Sequence, residues 1–144
     1  MVHRTPATFL EVAQSINADP ASATTTNGSS VDCRHFDGGY AVIVVSTGTL
    51  VGSGHTVSVK IQESSDDGSS DAFADVSGTT FDDITASNDV ATYVGSIRLR
   101  GRERYLRAVA TTTGTVTSGD IVVQIILMKP ADTSVADGTY AFDI

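Results

Sequence analysis

Apolar and polar side chains alternate with period two along much of this 144-residue chain. The clearest case is Thr56–Glu63: Val57, Val59 and Ile61 share one face, while Thr56, Ser58, Lys60 and Gln62 share the other, as successive side chains of a strand must. Tyr40–Ser46 and Ile121–Met128 are almost continuously apolar instead, the pattern of central strands covered on both faces. Turn residues separate these runs: Asp37-Gly38-Gly39, Thr47-Gly48-Thr49, Gly52-Ser53-Gly54, the Asp67-Gly68 turn within Ser64–Ser70, Gly119-Asp120 and Lys129-Pro130. Ser30–Cys33, Phe73–Val76 and Phe81–Ile84 read as shorter strands. Seven to eight short antiparallel strands, with turns about every eight to twelve residues, predict an all-β protein, either a β-sandwich or a jelly-roll-like barrel.

The two ends of the chain differ from this body. Thr8–Ile16 has a helix-capping pattern, Thr8 followed three residues on by Glu11, with Phe9, Val12 and Ile16 on one helical face. Asp19–Ser30 has the composition of a linker, which favours an extended N-terminal arm over residues 1–30, with Phe9, Leu10 and Val12 as its anchors. The sandwich then spans residues 31–130. Residues 131–144 form a polar tail whose last positions alternate again, Tyr140, Phe142 and Ile144 being apolar, so that a docked final strand is expected there.

Composition supports the strand assignment and narrows the functions. Hydrophobic residues make up 40%, with no Trp and two Met, and the net charge is −8. Val, Ile and Thr suit pleated surfaces. General attraction to nucleic acid or an anionic membrane is not expected of so acidic a chain, nor does any apolar run reach membrane-spanning length. Cys33 is the single cysteine, so no internal disulfide forms, and the expected place of synthesis is the cytoplasm.

Against this acidic background, five of the seven arginines, Arg98, Arg100, Arg102, Arg104 and Arg107, fall within ten residues. Arg98 and Arg100 alternate with Ile97 and Leu99; Gly101 interrupts, and Tyr105 begins a second strand. The segment 91–112 is therefore expected to be a hairpin with a cationic tip and flank. Planar guanidinium groups pair bidentately with carboxylates at interfaces, which makes this hairpin a candidate partner surface.

Chemistry is weakly signalled. Asp66, Asp67, Asp71 and Asp75 surround Gly68 without the register of a calcium loop. Cys33 and His35 share a strand face but have no third partner, and one Cys with three scattered His does not make a zinc set. The glycine-rich turns lack the lysine of a phosphate cradle. Asp82-Asp83 reads as solubilising charge rather than a glycosidase pair. No catalytic, cofactor or metal residue is assigned, and no enzyme is expected.

Two blocks carry a family resemblance: Gln62-Glu63-Ser64-Ser65-Asp66-Asp67-Gly68 with Phe73-Ala74-Asp75-Val76, and Gly101-Arg102-Glu103-Arg104-Tyr105-Leu106-Arg107-Ala108-Val109. With Val31–Gly38, they make Val31–Met128 resemble head decoration, or cement, proteins of tailed bacteriophages. The resemblance implies a β-rich virion protein that binds the outside of an assembled capsid and stabilises it, with the major capsid protein as partner and a homotrimer as the favoured assembly. A carbohydrate-binding or adhesion module is the alternative, weakened by the absence of Trp and the presence of only four Tyr. A neck or tail component is a further one.

Overall fold

The structure, a computed structural model, describes residues 10–19 and 23–129. It is a β-sandwich of two antiparallel sheets. One sheet has four strands in the order β1 (Leu10–Ala18), β10 (Ile121–Met128), β4 (Tyr40–Thr47) and β8 (Thr92–Arg98). The other runs β2 (Thr25–Asn27), β9 (Tyr105–Ser118), β5 (Val51–Ser64) and β6 (Ala74–Asp75). Two short strands join it: β3 (Val31–Asp32) pairs with β9, and β7 (Ile84–Thr85) pairs with β5. The alternation read in Thr56–Glu63 is the core face of β5: Val57, Val59 and Ile61 are fully buried. Across the core they meet Ala41, Ile43 and Val45 of β4 and Val123, Ile125 and Leu127 of β10, all within 1% of complete burial. Each of the Val, Ile and Leu side chains contributes about 1.5–3 kcal/mol by leaving water.

Part of the segment expected as an arm belongs to this body. Leu10–Ala18 is strand β1, laid along β10 from Leu10 opposite Met128 to Ala18 opposite Ile121. The helical alternative does not form, because the open edge of β10 offers the backbone a ladder of partners. A bulge between Gln14 and Ile16 turns two successive side chains inward, so Ser15 and Ile16 are both buried. The Ser15 hydroxyl accepts from the Ala108 amide at 2.9 Å and donates to the Ser29 carbonyl at 2.9 Å, stitching β1 to the six-stranded sheet. Thr25–Asn27 pairs with β9 as well. Phe9, Tyr140, Phe142 and the 131–144 tail lie outside the described residues.

The expected Arg hairpin is not a hairpin. β8 pairs with β4 and β9 with β5, so the two strands lie in opposite sheets and Leu99–Arg104 crosses between them. The cause is the apolar face each strand must bury. Ile97 on β8 and Leu106 and Ala108 on β9 face one another through the core, as strands of opposite layers do. Gly101, at φ +78°, and the Arg102 amide bonded to the Leu99 carbonyl at 3.0 Å make the turn.

One buried polar group stands apart. His55 lies in the irregular stretch of β5 between Ser53 and Thr56, is 2% exposed, and neither ring nitrogen has a partner among the described residues. A buried polar group without a hydrogen bond costs about 1–3 kcal/mol. His55→Leu should therefore raise stability by about 1 kcal/mol, seen as an increase of a few degrees in the thermal midpoint.

Candidate interface on the four-stranded sheet

The outward face of the four-stranded sheet can be read from its register. Directly opposite residues of an antiparallel pair project to the same side. Four rows therefore cross the sheet from β1 to β8: Leu10–Met128–Tyr40–Arg98, Val12–Ile126–Val42–Ser96, Gln14–Gln124–Val44–Val94 and Asn17–Val122–Ser46–Thr92. Of these sixteen positions one is charged, and none is a carboxylate, in a chain with 17 acidic residues.

Exposure marks the same face. Six large hydrophobic side chains are exposed among the described residues, and four of them, Val12 (55%), Val94 (67%), Tyr40 (40%) and Met128 (38%), lie here. Val42, Val44, Val122 and Ile126 are half-buried between them. The apolar run of Tyr40–Ser46, which the sequence assigns to a strand covered on both faces, is covered by the other sheet on its inner face only. The single charge, Arg98, donates from Nη2 to the Tyr40 hydroxyl at 2.9 Å, and its guanidinium lies 5.4 Å from the centre of that ring. Such stacking lets a cation border an apolar surface without interrupting it.

Three of the other arginines have partners within the chain. Arg104 grips Asp32 bidentately, at 3.1 Å from Nε and 2.7 Å from Nη2, with its guanidinium 4.7 Å from the centre of the Tyr105 ring. Arg102 pairs with Glu63 at 3.3 Å, and the Glu103 amide donates to the same carboxylate at 3.0 Å. Arg107 bonds Gln62 through Nε and Nη2 and stacks 4.0 Å from the centre of the Phe73 ring. These contacts tie the crossing segment and β9 to β3, β5 and the loop after β5. Arg100 is exposed, with no ion pair among the described residues. Of the anchors expected in the arm, Leu10 and Val12 fall on the apolar rows.

Asp32 shows what the arginines do. The hydrogen bonds from Arg104 hold its carboxyl down at about 2, against a partial opposing effect of burial. That stabilisation is complete above the ordinary value of 3.8 and is lost as the pH falls through about 2. Asp32 is about one-third exposed, so solvent screening trims the effect, and Asp32→Asn should cost about 1 kcal/mol at neutral pH. Denaturant midpoints of the two proteins should converge on acidification below about pH 4.

Three of the four aspartates around Gly68 have structural partners. The Asp66 carboxylate accepts from the amides of Ser69, Ser70 and Asp71, which lower its pKa. Asp71 accepts from the Ser65 amide, and Asp75 holds Lys60 at 2.7 Å and Gln62 at 2.8 Å. No group of His, Cys, Asp and Glu among the described residues is arranged to hold a metal ion. Cys33 is buried, and desolvation pushes its thiol up to about 12, with the Asp32 charge adding to the effect. It is thus a protonated thiol at neutral pH. His35 is exposed on the 3-10 turn Arg34–Phe36 and makes no hydrogen bond with it.

No protein-family model matches the chain, and no curated protein matches it.

Proposed function

We propose that this chain is a structural virion protein that binds the outer surface of a phage capsid and stabilises the shell. The observation that carries the proposal is the concentration of exposed apolar side chains on one carboxylate-free sheet face of an acidic molecule. Contiguous apolar surface of this kind marks a contact surface when a soluble protein carries it. The resemblance of Val31–Met128 to decoration proteins supplies the partner, the major capsid protein, and a trimeric form. Linkage supplies the mechanism: a protein that binds only the closed shell stabilises it by about 2.7 kcal/mol per site at a hundredfold excess over Kd.

The experiment is co-sedimentation with expanded, undecorated phage heads. The native chain should pellet with the heads. Val94→Glu and Val12→Glu, both at exposed positions, should keep the native melting temperature while weakening binding by about a hundredfold, because each places an unpaired charge in a dry contact. Failure of the native chain to pellet, or equal binding by both variants, would argue against the proposal.

A further inference from the structure

The two edges of the four-stranded sheet are built differently. β1 carries a bulge, a charged residue at an inward position (Glu11, opposite Leu127) and the Ser15 stitch to the other sheet. Bulges and inward charges are what keep an edge strand from recruiting another strand. β8 has neither. Its seven residues pair with β4 in unbroken register, contain no proline, and present their other backbone N–H and C=O groups to no partner among the described residues.

That open edge borders a cleft of about 310 Å³. Five consecutive β8 residues, Tyr93–Ile97, line it. Side chains alternate along a strand, so five in succession line a cleft only where the backbone edge itself faces it. The opposite wall is the loop Gly78–Asp82, and the floor is Ile43 and Ile61 from the two sheets. Phe81 leans over Gly95, so close that a Cβ there would stand 3.0 Å from the ring. The cleft thus combines a free hydrogen-bonding edge with an isoleucine floor and walls of mixed polar and apolar side chains.

We infer that the β8 edge is a strand-addition site for an extended peptide segment with apolar residues at alternate positions and a lysine or arginine near Asp82. Backbone pairing with β8 supplies affinity, and alternate side chains entering the cleft supply selectivity. The charge requirement comes from Asp82, which lines the cleft, and Asp83 beside it. Both are exposed, and neither has a cationic partner among the described residues. The same two carboxylates disfavour a second copy, since β8-to-β8 pairing would bring two such acidic lips together on molecules of charge −8. The site adjoins the apolar sheet face, with Val94 and Ser96 common to both, but does not rest on the capsid proposal.

The test uses the full chain and two probe peptides, Lys-Val-Thr-Val-Thr-Val-Lys and its counterpart with Glu at both ends, followed by amide hydrogen exchange and a binding titration. The lysine peptide should slow exchange of the β8 amides while leaving those of β1 unchanged, and should bind more tightly than the glutamate peptide. Asp82→Lys, at an exposed position, should reverse that preference, a swing of roughly threefold to tenfold. The inference falls if millimolar lysine peptide leaves β8 exchange unchanged, or if the glutamate peptide binds the native chain equally well. It falls also if β8 protection rises with protein concentration in the absence of peptide, which would make a second copy the occupant.

Discussion

A chain that starts at Val31 should fail to fold cooperatively. The truncation removes β1 from the edge of β10 and β2 from the edge of β9. It deletes Ile16, which is 2% exposed, and with it about 1.5–3 kcal/mol of apolar burial. It also removes the Ser15 hydroxyl from the Ala108 amide, at a further cost of about 1–3 kcal/mol for a buried donor left without a partner. Adding the lost ladder of β1, the total is comparable with the whole stability of an ordinary domain, about 5–15 kcal/mol. Circular dichroism should show no sharp thermal transition. A truncated protein that melts like the intact one would mean that residues 1–30 are an arm resting on a finished domain. Ser15→Ala offers the graded version, with a loss of about 1–3 kcal/mol in a protein that still folds.

Gly39→Ala should be the most damaging single methyl on the sheet. Gly39 is buried at the entry to β4, donating to the Phe36 carbonyl and accepting from the Leu99 amide, both at 2.9 Å. A Cβ at this position would collide with the backbone carbonyl of Met128. Main chain held by a ladder cannot swing aside as a flexible side chain can, so β4 and β10 would have to separate locally. The expected loss is about 2–4 kcal/mol, read from the denaturant midpoint. Gly48→Ala is the control, because a Cβ there meets nothing within 4 Å, and it should be close to neutral. The Gly39 collision falls beside the row Leu10–Met128–Tyr40–Arg98, so the variant should also weaken the proposed binding to phage heads in excess of its loss of stability.

The main strands were legible because their patterns are local. Val57, Val59 and Ile61 announce a half-buried strand in any context, and Ile121–Met128 announces a central one. What escaped was decided by pairing at a distance. β1 hides its period of two behind the bulge at Ser15, which sends Ser15 and Ile16 to the same side and leaves Val12 and Ile16 at a spacing that also suits a helix. The arginine segment gave strand, turn and strand correctly, but nothing local tells Tyr105 to join β5 rather than fold back on β8. Its arginines looked like a free cationic surface because Asp32, Glu63 and Gln62, their partners, are about 39 to 72 residues away in the chain. The apolar sheet face was present in the sequence only as an exclusion: no Asp or Glu falls at Val42, Val44, Val122, Gln124 or Ile126. That exclusion becomes a surface only when the register aligns the four strands.

The opposition of Leu10 and Met128 has a mechanical consequence. The described chain enters the sheet and leaves it on adjacent strands at one corner. A load applied between those two points would open the β1–β10 ladder like a zipper, one rung after another toward Ala18 and Ile121, and unzipping yields at far lower force than shearing every rung at once. A body tethered by its ends would therefore give way early under tension, whereas one gripped across its broad face would bring whole strands to bear together.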